Sequence, residues 1–158
     1  MPQFVESSIR SPAAAQLLEE YFAYRASTFP TSGGYRVAFP DPTLFTRPRG
    51  LFLVVTDDEV ESGCGGIRML SPTRAEIKHL WVRPGSRGRG LGRAILAELE
   101  RLAAELGASE TVLDTNASLD AAGGLYRASG YSSIEPYNDN PNATNWYGKA
   151  LSGRAETQ

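Results

Sequence analysis

Ala75-Glu-Ile-Lys-His-Leu-Trp-Val-Arg-Pro84, then Gly85-Ser86, then Arg87-Gly-Arg-Gly-Leu-Gly-Arg93, decide how this chain folds, together with the apolar-periodic run that follows to Leu106. The first part reads as a strand. The second is a tight loop dense in glycine and arginine. The third is a helix that begins inside that loop, with Leu91, Ile95, Leu99, Leu102 and Leu106 in helical phase and Glu98, Glu100, Arg101 and Glu105 largely elsewhere. Free backbone N–H groups at a helix N-terminus attract anions, and glycine lets an anion approach the backbone closely. Arg87, Arg89 and Arg93 add positive charge at the same point. The stretch predicts a phosphate or pyrophosphate cradle.

Outward from it, Gly107 sits where a left-handed helix end belongs, and Thr111-Val-Leu-Asp-Thr115 reads as the next strand. Strand, helix and strand in this order make a parallel pair with a right-handed crossover, whose ligands bind at the carboxyl ends of the strands. Upstream, Leu51-Phe-Leu-Val-Val-Thr56 and residues 63–70 form a hairpin about Asp57-Asp-Glu59. Ser11-Pro12 starts a helix that runs to about Ala26, and residues 4–9 form an edge strand. Downstream come a short helix from Ser118 or Asp120 through Tyr126, a short strand over 131–134, a polar asparagine-rich loop over 136–145 and a last strand over 146–151. Residues 27–50 hold four prolines, three glycines and several aromatics. They read either as a lid or wall for a second ligand, or as a surface loop whose aromatics fill the core.

The composition of the 158 residues is that of one soluble globular domain, 41% hydrophobic and 22% charged, with residues 1–151 as the domain and 152–158 as a disordered tail. A net charge of −2 argues against a strongly basic nucleic-acid binder. No apolar run is long enough to span a membrane, and the N-terminus lacks the basic-then-apolar order of a secretion signal, so a cytoplasmic protein is expected. One cysteine, Cys64, and one histidine, His79, leave no disulfide framework and no multi-histidine metal site. Cys64 reads as a small buried residue rather than a nucleophile.

The glycine-rich loop is not a Walker A motif, because no Gly-Lys-Ser/Thr follows its glycines. Nor is it a dinucleotide fingerprint, because Arg93 stands where the third glycine should be. Arg87-x-x-Gly90-x-Gly92 instead resembles the acyl-coenzyme A pyrophosphate loop of the GNAT superfamily of N-acetyltransferases. The resemblance covers about residues 51–151. It includes the preceding Ala75-Glu76-Ile77 and Leu80-Trp81-Val82-Arg83-Pro84, and the later Leu125-Tyr126-Arg127-Ala128-Ser129-Gly130-Tyr131. The first fifty residues match loosely.

The resemblance implies an α/β fold of α+β type: a mixed, mostly antiparallel central sheet with two splayed parallel central strands, about 74–83 and 109–115, and helices on both faces. It implies acetyl-CoA as co-substrate and no metal. Backbone groups of Leu80, Trp81 and Val82 would hold the pantetheine arm, the loop Arg87, Gly88, Arg89, Gly90, Leu91, Gly92 and Arg93 the pyrophosphate, and Asn116 would contact the arm. The chemistry needs a base for the amine, donors for the oxyanion (here the backbone N–H of Val82 or a neighbour) and a proton for the leaving thiolate. Glu76 is the candidate base, with a substrate anchor or a structural strand glutamate as its other readings. Tyr126 is the candidate acid, its other reading a core tyrosine. Asp114 is a helper-acid candidate. His79 faces away from Glu76 by strand alternation unless a bulge intervenes.

Acceptor contacts are expected from residues 27–50 and 136–147, with Tyr35, Arg36 and Phe39 as candidates; Arg36 would suit a carboxylate, its other and favoured reading being an ordinary exposed arginine. The expected function is acetylation of a primary amine of a small molecule by direct attack in a ternary complex. The alternatives are acetylation of a peptide or protein amine, and a non-catalytic acyl-CoA sensor. Pairing into a homodimer is expected by analogy alone.

Overall fold

The computed structural model describes residues 1–151 except Ser32 and Ala38; the expected tail, 152–158, lies outside the described residues. In chain order the elements are β1 (Pro2–Glu6), α1 (Pro12–Thr28), β2 (Gly50–Asp57), β3 (Val60–Ser71), β4 (Arg74–Val82), α2 (Leu91–Glu105), β5 (Glu110–Thr115), α3 (Asp120–Ala128), β6 (Ser132–Ser133) and β7 (Asn145–Ala150). Short 3-10 turns at Pro42–Phe45 and Pro84–Ser86 interrupt the loops. No described helix is long and apolar enough to cross a membrane.

The strands form one sheet in the order β1-β2-β3-β4-β5-β7-β6. Every pairing is antiparallel except β4 with β5. Both faces are covered, as the sequence predicts. Along β2, Leu51, Leu53 and Val55 enter the cluster beneath α2 and α3, while Phe52 and Val54 enter the cluster beneath α1. That two-sided burial is why the strand reads as an unbroken apolar run. In β3, a Cβ on Gly65 would lie 2.8 Å from Leu99 Cδ1, so the glycine lets α2 pack close.

Local signals explain the helix ends. The Ser11 hydroxyl accepts the Ala14 N–H at 3.3 Å, with Pro12 at the first helical position. The helix passes the expected end at Ala26 and stops at Thr28, where the Ser27 and Thr28 hydroxyls both donate to the Tyr24 carbonyl. At the end of α2, Gly107 takes φ 108°, its N–H bonds the Ala104 carbonyl and that of Ala108 bonds the Ala103 carbonyl, a Schellman arrangement. The first strand ends earlier than expected, at Glu6, and Ile9 instead packs beneath α1.

Two irregularities in β4 create the functional space. Its parallel ladder with β5 lasts for three pairs, Arg74 with Glu110, Ala75 with Thr111 and Glu76 with Val112, and then stops. Beyond Glu76 the two strands part. On the other side, the register with β3 passes from Gly66–Lys78 to Cys64–Trp81, so His79 and Leu80 together face Gly65. This is a β-bulge, with His79 at φ 59°. The bulge turns His79 toward α1, against Tyr21 and Phe22, while Leu80 packs toward α2. His79 thus shares a face with Glu76 and Lys78, the outcome that alternation alone excluded.

Leu99 is fully buried between α2 and β3. Leu99→Ala is expected to lower unfolding free energy by about 3 kcal/mol through lost burial and a residual cavity, measured as a shift of the urea midpoint at unchanged slope.

Candidate active site

The parting of β4 from β5 opens a groove of about 650 Å³ running from the start of α2 to Tyr126 on α3. At its outer end Gly88 and Gly90 take φ 85° and 79°, left-handed conformations that glycine adopts without strain. A Cβ on either would meet nothing within 4 Å, so the loop is open to a ligand. Gly90 is the N-cap of α2 and offers it no side-chain acceptor. The first intrahelical bond is from Ala94 N–H to the Gly90 carbonyl, at 3.0 Å. The N–H groups of Leu91, Gly92 and Arg93 therefore lack intrahelical acceptors and form an anion site at the positive helix end. Arg87 lies along the wall, its guanidinium 4.9 Å from the Trp81 ring and 5.0 Å from that of Tyr24, its Nε donating to the Val82 carbonyl at 2.9 Å.

At its inner end the groove meets a narrow junction of about 60 Å³, bounded by Tyr21, Arg25, Lys78, His79, Asp114 and Tyr126. Beyond it lies a cavity of about 500 Å³. Its walls come from α1, from the segment 29–49, from Arg68, Lys78 and His79 on the central strands, and from residues 138–142. The segment 29–49 is tied across it: the Asn142 side chain accepts the Arg36 N–H at 2.9 Å and donates to the Arg36 carbonyl at 2.7 Å. An asparagine ladder holds the facing wall. Asn138 and Asn140 donate to the two Asp114 oxygens at 2.7 and 3.2 Å, the Asn140 N–H donates to Asn138 Oδ1, and the Asn142 N–H donates to Asn140 Oδ1.

The titratable groups fall into distinct environments. Burial pushes the Tyr126 phenol up from its ordinary value, so it keeps its proton at neutral pH. Burial, with Lys78, Arg68 and Arg25 nearby, pushes His79 down to about 3, so its imidazole is neutral. Its Nδ1 is buried without a hydrogen-bond partner. The Cys64 thiol is pushed up by burial, and its Sγ donates to the His79 carbonyl at 3.4 Å. Glu76 is wholly buried; its oxygens accept from Arg68 Nε at 2.7 Å and from the Tyr137 hydroxyl at 2.6 Å, with Lys78 Nζ at 3.9 Å.

Of the residues singled out in the sequence, Leu80, Trp81, Val82, Arg87, Gly88, Gly90, Leu91, Gly92, Arg93 and Tyr126 border the groove. Arg89 turns away to Asp57, at 3.5 Å. Asn116 is buried outside the groove, donating to the Asn142 carbonyl at 3.0 Å and accepting the Ser118 N–H. Tyr35, Arg36 and Phe39 border the cavity. Glu76 borders neither groove, junction nor cavity, and touches the cavity only through Arg68 and Lys78. The asparagine ladder lies in the segment 136–147 expected to contact the acceptor, whereas Arg25 is not among the expected site residues. Arg25 did carry a signal, lying in phase with Leu18 and Phe22 on the buried face of α1.

An anion-binding helix start, an opened central sheet and a cavity thus meet at one junction, leaving room for one ligand along the groove and a second in the cavity. The model of the acetyltransferase (GNAT) family matches residues 14–131, and the chain belongs to that family. An uncharacterized N-acetyltransferase of Schizosaccharomyces pombe is 38% identical over 96 residues, 60% of this chain and 59% of that relative's length. A Klebsiella pneumoniae structure assigned as an acyl-CoA N-acyltransferase shares the fold with a TM-score of 0.76 at 24% identity, covering 96% of this chain and 98% of that one. A GNAT acetyltransferase of Elizabethkingia anophelis with acetyl-CoA bound has a TM-score of 0.65 at 15% identity, covering 95% and 98%.

Gly90→Val forces a β-branched side chain into a left-handed position and into the open anion site. It is expected to weaken coenzyme A binding about tenfold or more, read by titration calorimetry. His79 is uncharged when folded but protonates near its ordinary value when unfolded, so the unfolded state binds more protons between about pH 3 and 6.5. Stability present above that window is lost as pH falls through it. The urea midpoint is expected to drop between pH 7 and pH 5, and to drop less in His79→Asn.

Proposed function

We propose that the chain transfers the acetyl group of acetyl-CoA to a primary amine of a small molecule, by direct attack with both substrates bound. The observation that carries this reading is the junction: the groove from the anion site and the cavity meet where Tyr126 and Asp114 both stand. The groove suits the donor in three respects. Free N–H groups of residues 91–93 match a pyrophosphate, the unpaired edge of β4 over residues 77–82 matches pantetheine amides, and the Elizabethkingia neighbour carries acetyl-CoA in the same fold. The tie between Asn142 and Arg36 holds the segment 29–49 across the acceptor side, which supports a small molecule over a peptide chain.

The roles follow from access. A backbone N–H of residues 80–82 faces the negative charge that develops on the thioester oxygen. Tyr126, kept protonated by burial, gives its proton to the leaving sulfur. Asp114 is the carboxylate that borders both junction and cavity, and it takes the amine's proton, directly or through a water. Glu76, expected as the base, is enclosed by Arg68 and Tyr137, and in this reading it fixes the charge and position of Arg68 and Lys78.

Thiol release from acetyl-CoA against a panel of amines tests the proposal. Tyr126→Phe is expected to lower kcat about 100-fold with little change in the KM for acetyl-CoA. Asp114→Asn is expected to lower kcat/KM at neutral pH and move its acidic limb, while Glu76→Gln leaves that limb in place. A moved limb in Glu76→Gln and not in Asp114→Asn would return the base to Glu76. Tight coenzyme A binding with no thiol release from any amine would make the chain an acyl-CoA sensor.

A further inference from the structure

Arg25 stands in the last turn of α1 and is only 8% exposed. Its guanidinium borders the groove, the junction and the cavity alike. Its Nη1 donates to the Tyr21 hydroxyl at 3.0 Å, and its Cζ lies 5.0 Å from the Tyr35 ring centroid and 5.9 Å from that of Tyr21. No carboxylate lies within 4.0 Å of it among the described residues. Of the other arginines lining the groove and cavity, Arg68 is matched by Glu76 at 2.7 Å, and Arg36, Arg87 and Arg93 are exposed to solvent, so Arg25 is the buried one without a carboxylate. Lys78 also has Glu76, at 3.9 Å. A buried guanidinium without an anion carries a desolvation cost that aromatic rings and the negative end of one helix offset only in part. An anion arriving in the cavity would remove that cost.

The cavity supplies the rest of the recognition. Asp114 lines the same junction and cavity, and its oxygens are held by neutral amide donors rather than by a cation. Beside the two charges the cavity offers an aromatic wall, with the Phe22 and Phe39 rings 5.6 Å apart and Phe45 against His79. Phe39, at the mouth, is 62% exposed, an apolar surface for a side chain to cover. Arg36 is exposed and docks through its backbone, in line with its reading as an ordinary surface arginine.

We infer that the acceptor is an apolar amino acid: its carboxylate is forked by Arg25, its amine faces Asp114 at the junction, and its side chain lies on the aromatic wall. The inference rests on the acetyl-transfer reading for the direction of the amine, but the binding claim stands apart from turnover.

Two measurements keep them distinct. Binding of L-leucine, L-methionine and L-phenylalanine, and of the amide of each, is measured by calorimetry on the protein with coenzyme A, alongside thiol release with acetyl-CoA. At least one acid is expected to bind about 30-fold or more tighter than its amide, since the amide leaves the buried cation unpaired. Arg25→Gln is expected to weaken that acid on the order of 100-fold and to leave the amide within a few-fold, while Arg25→Lys, a point charge without the fork, falls between. Equal binding of acid and amide in the unaltered protein, or binding of none of the six, overturns the inference without any variant. So does an equal loss for acid and amide in Arg25→Gln. Selective acid binding with no thiol release supports the carboxylate site and overturns acetyl transfer instead.

Discussion

Three residue pairs tie β4 to β5, and the site depends on that ladder ending where it does. After Glu76 and Val112 the strands part, and each leaves a backbone edge without a strand partner on that side. Buried N–H and C=O groups need partners, so an opened central sheet calls for a ligand able to supply an amide-like row. Opening it requires support elsewhere. The far edge of β5 is fully paired with β7, and the α2 cluster around Ile95 and Leu99 closes the gap from below. Arg83 binds Glu20 through Nε and Nη2, and through Nη1 the Glu61 carbonyl, which pins the end of β4 to α1 and β3.

The bulge at His79 and Leu80 then sets which charges the acceptor sees. By placing His79 beside Lys78 on the α1 face, it packs a neutral imidazole among Tyr21, Phe22 and Phe45. Glu76 settles two of the local cations. Arg25 and Asp114 are left on opposite terms: a guanidinium against two phenol rings with no carboxylate, and a carboxylate held by two amides. A wall of this kind favours a ligand that brings both charges itself, because a neutral amine would leave the guanidinium uncompensated.

Local signals in the sequence reach as far as the cradle and the sheet. Gly88, Gly90, the leucine phase of α2 and Gly107 each act within a few residues of themselves, so their consequences can be read from spacing. The splay and the two-sided core follow from a family pattern plus the continuous apolar run of β2. The bulge does not follow from alternation, since one extra residue opposite Gly65 reverses every later side chain. Glu76 and Asn116 illustrate the same limit. Each stands where expected along the chain, yet Arg68, Tyr137, Asn142 and Ser118 take up their polar atoms, and those partners come from elsewhere in the fold. Arg25 is the converse: its phase marked it as buried, but its lack of a counterion is a property of everything packed around it.

The asparagine ladder links the carboxylate of Asp114 to the segment 29–49 through fixed contacts. Asn138, Asn140 and Asn142 recur at every second position, and each side-chain oxygen accepts a backbone N–H, from Asn140, Asn142 and Arg36 respectively. A polar loop thereby becomes a fixed wall at folding, and its ordering cost does not fall on the binding step. The same ladder orients Asp114 from one end and anchors the segment 29–49 from the other. The acceptor-facing aromatics of that segment can therefore change without disturbing the carboxylate, the bulge or the anion site, whose geometry comes from β4, β5 and the helices that follow them. The family match begins at residue 14, within α1, so the segments that face the acceptor in the proposed reading belong to the family pattern as much as the strands that face the donor.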